Sequence, residues 1–317
     1  MCIRDSENGG FYDSYYDFGG TDSLPNVHLA ITALAGLAMI QSLARPELKE
    51  SADQINNAIE RCFKFVNDEK RFNRVDRDEI LWAEAYRLRF LSAYCRSRKI
   101  DNSTALQAAT GSLEKLQSKR GGWYHEYANP FVTATALAAL HDAKTVGAAV
   151  NTNKVDAGLR SLLADRFANG AFSYSSPNPE PNRAGDELIQ ASAGRMPLCE
   201  LALSRWGHSD QQKLQFAIEQ SFKHHEKMAK ALKYDDHTST LAYGGFFFWY
   251  DMRSRTEAIS ALQDEAAKTK FSKQQFDLVM ALPEIDGCFV DSHELGRCYG
   301  TAMALLCLSG SSNTGGQ

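Results

Sequence analysis

Apolar residues along this chain recur at helical spacing in two alternating styles. One style is apolar around most of its circumference, as in ATALAALHDA (134–143) and GTAMALLCLS (300–309), which implies burial on several sides. The other has a single apolar face. Between 48 and 66, Ile55, Ile59, Cys62, Phe63 and Val66 share a side, with Lys49, Glu50, Asp53 and Glu60 on another, so this helix is peripheral. Inner helices are predicted at 24–44, 78–97, 129–143, 186–206, 247–263 and 293–309, and outer ones at 48–66, 102–117, 154–166, 209–231 and 270–282. Three prolines exclude helix from SSPNPEPNRAGD (175–186), and nothing reads as a strand.

A glycine-aromatic turn precedes the inner segments: NGGFYDS (8–14), QSKRGGWYHEY (117–127), NGAFSYSS (169–176), YGGFFFWYD (243–251) and DGCFVDS (286–292). Residues 71–94 hold the same place without the glycine pair, which makes six units. Glycine allows positive φ and a close backbone passage, and the aromatic wedges between hairpins, so Trp123, Phe172 and Phe289 are expected to be packing residues. Eleven helices emerge, whereas a closed ring of six hairpins needs twelve; the missing outer helix would precede residue 8. The opening MCIRDS resembles translated adapter sequence. Residues 1–7 are therefore expected to be a non-native or fragment start, 8–310 one domain, and 311–317 a disordered tail.

With 317 residues, 44% hydrophobic and 23% charged, the chain has ample core for a globular domain. A net charge of −4 gives no reason to expect nucleic acid as a partner. No apolar run is expected to reach the roughly 20 residues of a membrane span, since Thr32 and Gly36 interrupt the longest. Seven scattered cysteines read as reduced core residues, and the lack of an apolar leader makes a cytoplasmic location the expectation.

Leu113-x3-Gln117-x3-Gly121-x-Trp123 matches most of the QW motif of triterpene cyclases, and DGCFVDSHELGRCYGTAMALLCLS resembles a closing prenyltransferase and squalene-cyclase repeat. The resemblance implies an all-α fold, the α/α toroid of terpenoid cyclases and protein prenyltransferases, with inner and outer rings and here lacking its first outer helix. It further implies an isoprenoid (prenyl or triterpenoid) ligand in the central cavity. Fold does not fix activity, so a noncatalytic toroid binding a peptide and a carbohydrate-active barrel stand as alternatives.

Squalene-hopene-type cyclases protonate an alkene with an Asp-x-Asp-Asp run that this chain lacks. The nearest strings are Val75-Asp76-Arg77-Asp78-Glu79, with Asp76 and Asp78 as candidate acids, and Tyr234-Asp235-Asp236-His237. Acids at 76–79 are also expected of a solvated helix N-terminus. Asp286-Gly287-Cys288-Phe289 resembles the prenyltransferase string that supplies zinc ligands, which implies zinc on Asp286, Cys288 and either His293 or His28; otherwise no cofactor is expected. If the ring closes, the starts of the inner helices form one polar mouth. It would carry His125, Glu126, Arg183, Asp186, Glu187, Asp251, Arg253, Arg255, Asp291, His293, Glu294 and Arg297, with Arg195 and Tyr299 as further ligand-binding candidates. Its arginines suit a diphosphate. Glu126 with Glu294, or Glu79 with Asp291, could instead cleave a sugar chain. Arg195 lies in an apolar pattern and needs a buried partner, while Pro197 predicts a kink or break in that helix. Lys223 to Glu226 reads as outer surface.

Overall fold

The computed structural model describes residues 9–16, 22–100, 103–178, 185–233 and 247–311. Its helices run in chain order as α1 (Leu24–Ser42), α2 (Ala52–Val66), α3 (Ile80–Arg98), α4 (Thr104–Lys115), α5 (Pro130–Lys144) and α6 (Thr152–Ala164). There follow α7 (Asp186–Ser192), α8 (Met196–Arg205), α9 (Gln211–Lys223), α10 (His225–Met228), α11 (Phe248–Ser260), α12 (Glu265–Met280) and α13 (Gly296–Ser311). Helices α1, α3, α5, α8, α11 and α13 each pack on the next, and α13 packs back on α1, so an inner ring closes. Helices α2, α4, α6, α9 and α12 lie outside, each against the inner helix before it. The fold is an α/α toroid. Taking α7 with α8 as one interrupted helix, and α10 as the tail of α9, the described residues hold the eleven expected helices.

The inner helices are buried all round because both ring neighbours and an outer partner cover them. Helix α1 is, by length and composition alone, long and apolar enough to cross a membrane despite its interrupted run, but most of it is buried inside the fold, as a core helix is. In the toroid, α2, α3 and α13 surround it. Side-chain caps set several helix starts: Ser103, Asn129, Asn151, Asp210 and Asp264 each accept a backbone N–H from the first turn. The Asp264 cap begins α12 ahead of residue 270, where the apolar pattern alone placed it. Pro197 occupies the first turn of α8, where its missing N–H costs nothing, and the helix is broken at 193–195.

One bond recurs at four of the turns. The backbone N–H of Phe11, Trp123, Phe172 and Phe289 donates to an inner-helix hydroxyl, respectively Thr32 (3.0 Å), Thr133 (3.1 Å), Ser192 (3.3 Å) and Thr301 (3.1 Å). All four aromatics are buried, as their packing role requires. At the third turn, Gln117 Nε2 donates to the carbonyls of Gly121 and Lys154, both at 2.7 Å, and Trp123 Nε1 donates to Leu113 O at 2.9 Å. The indole abuts Gly158 of α6, where a Cβ would stand 2.7 Å from its ring. These residues tie the end of α4 to α6, one hairpin to the next.

Candidate functional site

All six inner helices begin at one end of the ring. Residues before or within the first turns of α1, α3, α11 and α13 line an apolar chamber of about 50 Å3. Val27, Ala30, Ile31 and Leu34 of α1 form its aliphatic wall. Tyr16, Trp82, Tyr86, Phe247, Tyr250 and Tyr299 form the aromatic one. Tyr16 and Phe247 meet edge to face at 6.0 Å, and Trp82 meets Tyr250 likewise at 5.7 Å. Tyr250 is pinned from behind, its hydroxyl 2.7 Å from Thr135 Oγ1.

Glu79 is the one carboxyl in this lining among the described residues. It is 4% exposed, and its Oε1 is buried without a hydrogen bond. Burial raises its pKa well above the ordinary carboxyl range, and the negative charges of Asp76, Asp78 and Glu126 raise it further, so the neutral acid is favoured. This corrects the expectation of a solvated helix start. Asp76 is buried too, but it is fully occupied as a turn-former. Its Oδ1 accepts from the N–H groups of Asp78 (2.9 Å) and Glu79 (3.2 Å), and its Oδ2 accepts from Asn26 Nδ2 (2.7 Å). The string 76–79 thereby aims Glu79 inward while Arg77 stays exposed.

His125 connects Glu79 to a second carboxylate. The tight hairpin Tyr124–His125 and Tyr127–Ala128 carries it, with Glu126 at the tip in a left-handed conformation, φ +57°. A non-glycine residue there stores about 1–2 kcal/mol of strain. His125 Nδ1 lies 3.6 Å from Glu79 Oε1, and Nε2 lies 3.7 Å from Glu126 Oε1. Burial lowers the imidazole pKa, which favours the neutral ring. Nδ1 accepts from Trp82 Nε1 (3.2 Å) in one tautomer and donates to the Asp78 carbonyl (3.1 Å) in the other, so the ring makes one of these bonds at a time. The Tyr16 phenol feels Glu79, Glu126 and Glu294 together; burial first, then these charges, hold it firmly protonated.

The remaining candidates scatter. Arg195 does face the same end, and among the described residues it donates to carbonyls, Phe172 O, Ser173 O and Ala191 O at 2.8–3.1 Å, and stacks over Tyr174. Burial pulls its pKa down to about 10. Arg253 and Arg255, expected at the mouth, lie elsewhere. Two positions apart on a helix means about 200° of rotation, so the two cannot face one site. Arg253 lines a cavity at the opposite end, while Arg255 points outward, its Nε donating to Gln275 Oε1 at 2.7 Å and its Nη1 to Ser221 O at 3.1 Å. Tyr299 does line the chamber, and Glu294 is partly exposed beside Tyr16. Asp291 is buried as a cap of α11, accepting from Trp249 N at 2.7 Å, and burial raises its pKa to about 7. Asp186 and Glu187 are exposed, and His225 is partly buried against Phe248.

For the zinc reading, Asp286 forms a surface ion pair with Arg297 and accepts from Cys288 N (3.1 Å). Cys288 is buried, His293 is exposed, and His28 Nε2 bonds Ser14 O at 3.0 Å. Among the described residues, no three His, Cys, Asp or Glu side chains come together as a metal-holding group. Arg183 and residues 234–237 and 243–246 lie outside the described residues.

No protein-family model matches the chain, and no curated protein does. Solved structures do. The type II terpene cyclase MstE from Scytonema superposes with a TM-score of 0.56 at 11% identity over 98% of this chain and 94% of that one. A variant of it in complex with geranylgeranyl dihydroxybenzoate gives the same TM-score and identity, covering 98% and 93%. An inactive alpha-1,6-mannanase of Salegentibacter sp., in complex with alpha-1,6-mannotetrose, gives 0.54 at 10% identity over 98% and 94%. At such identities the likeness is one of fold.

Proposed function

We propose that the toroid takes the isoprenoid tail of a small molecule into the aromatic chamber, and that Glu79, neutral there, protonates one of its double bonds. The observation that carries this is a buried carboxyl, its pKa raised by burial, in the lining of a chamber with a six-ring aromatic wall. Proton transfer from Glu79 to the alkene leaves a carboxylate and a tertiary carbocation. Attack by the next double bond closes a ring, and loss of a proton, to water or back to Glu79, discharges the cation. The faces of Trp82, Tyr250 and Phe247 stabilise the cation without offering a nucleophile, worth roughly 0.5–2 kcal/mol for each ring. His125 holds the Glu79 side chain and, being neutral, adds no positive charge to oppose the cation.

The chamber's size places a condition on this reading. About 50 Å3 is less than the ~150 Å3 of a cavity that admits benzene, so entry requires the Tyr16 and Phe247 rings to part. The test uses a geranylgeranyl-bearing aromatic acid, the class bound by the cyclase neighbour. Wild type is expected to quench tryptophan fluorescence on binding and to yield cyclised product, and Glu79→Gln to bind without turnover. Equal product from the variant would sink the role of Glu79; neither quench nor product from wild type would sink the isoprenoid reading.

A second reading rests on a different observation: Glu79 and Glu126 approach opposite nitrogens of His125, two carboxyls at one mouth, both with raised pKa, the first buried and the second partly exposed. That pairing suits glycoside cleavage. Release of sugar from an alpha-1,6-manno-oligosaccharide, lost in both Glu79→Gln and Glu126→Gln, would favour it.

A further inference from the structure

The inner helices end together as well, and a second, larger cavity of about 380 Å3 opens there. That volume lies within the usual small-molecule range, about 300–1,000 Å3, unlike the apolar chamber. Its charged lining comes from four inner helices: Arg89 and Arg96 of α3, Asp142 of α5, Arg205 of α8, and Arg253 and Glu257 of α11. Four guanidiniums face two carboxylates, a surplus of two positive charges.

The pairing is uneven. Glu257 Oε1 takes Arg89 Nη2 at 2.7 Å and Arg253 Nη2 at 2.8 Å, and Asp142 takes Arg89 Nε at 3.0 Å. Both carboxylates thereby make short ion-pair contacts, Glu257 through Oε1 alone, although neither Glu257 oxygen meets hydrogen-bond geometry. Arg205 reaches them only at 3.6 Å, and its Nη1 is buried without a hydrogen bond. Arg96 has a neutral partner, Thr145 Oγ1 at 2.8 Å. Helix C-termini favour nearby cations, which accounts for arginine at this end. It does not account for an open cavity into which the two less-engaged guanidiniums face. An ion network serving stability alone would pair its charges and fill the space.

We propose that this cavity binds a small oxyanion, a phosphate or diphosphate group, held by Arg205 and Arg96 with Arg253 beneath. Planar guanidiniums suit phosphate oxygens bidentately, and the buried Arg205 Nη1, which makes no hydrogen bond, would gain such a partner. The site is independent of the apolar chamber and lies at the other end of the ring. The group could arrive as a free ion or on an organic molecule, and separate titrations distinguish these sources.

The experiment is isothermal titration of the whole chain with inorganic pyrophosphate and, separately, with a short alkyl diphosphate. Saturable binding is expected for wild type, weakened about tenfold in Arg205→Gln and in Arg96→Gln and partly retained in Arg205→Lys. Arg96→Gln, which breaks no ion pair, should keep the wild-type unfolding midpoint without ligand, and Arg205→Gln, which loses only the 3.6 Å contacts to Asp142 and Glu257, should lower it slightly. Tighter binding of the alkyl compound assigns the site to a phosphorylated organic molecule; equal binding assigns it to the free ion. Absence of saturable heat with either compound, or binding unchanged in both glutamine variants, would overturn the proposal.

Discussion

Glu257 sits where the second cavity's charges meet, and Glu257→Gln tests how the toroid's polar end is held together. The carboxylate is buried between Arg253 and Arg89, with Arg205 farther off. Burial alone would raise its pKa; the arginines override this and bring it from an ordinary 4.5 down to about 2. Burial lowers the Arg253 pKa against the pull of Glu257, so the pair's attraction offsets a real desolvation cost. At about 1.4 kcal/mol per tenfold change in proton affinity, the displacement corresponds to roughly 3 kcal/mol of native-state stability. Because the folded pKa is depressed, this stability is present above pH 4.5 and is lost as pH falls through about 2. Glutamine keeps the shape, removes the charge, and leaves Arg89 and Arg253 short of a counter-ion. The variant should lose about 3 kcal/mol in urea unfolding at pH 7, and the two stability curves should converge toward pH 2. Its larger charge surplus should also tighten pyrophosphate binding. A variant within about 0.5 kcal/mol of wild type at pH 7, or a gap unchanged by acid, would refute the reasoning.

Three further outcomes follow from individual residues. Glu79 has a raised pKa, so its favourable contribution is present below pH 4.5 and fades as pH rises; Glu79→Gln should gain on wild type between pH 5 and pH 8, and urea midpoints with no such trend would mean that Glu79 is ionised in the native state. Gly121→Ala should cost more than about 2 kcal/mol, since φ is +95° and the new methyl would stand 2.6 Å from Ala157 O, whereas Gly147→Ala, at φ +86° in open space, should cost only the left-handed penalty of about 1–2 kcal/mol. Arg195→Met should cost about 3 kcal/mol by stranding the carbonyls of Phe172, Ser173 and Ala191; a neutral result in thermal unfolding would show that water replaces the guanidinium.

Much of the candidate site was out of reach of sequence reasoning, and each miss has a physical cause. Acids at 76–79 look alike in one dimension. Asp76 spends its oxygens on Asn26, Asp78 and Glu79, Arg77 points to solvent, and Glu79 alone turns inward. The partners of Arg195 were sought among acids, whereas among the described residues backbone carbonyls, which carry no residue signature, accept its hydrogen bonds. The recurring aromatic N–H to hydroxyl bond spans 21, 10, 20 and 12 residues at its four occurrences, so no fixed spacing betrays it.

The sequence by itself determined the helices and their two classes, because burial on one side or on all sides dictates which positions along a helix must be apolar. It determined the turns as well, since a positive φ and a tight backbone approach both select glycine, as at Gly121. Ring closure of α13 on α1, the collection of six aromatic rings around one buried carboxyl, and the separation of Arg253 and Arg255 from the mouth were decided only in three dimensions. The reason is geometric. Periodicity records how much of a helix is covered, while depth along the ring axis and the identity of the covering residue depend on contacts between segments far apart in the chain, which leave no local pattern.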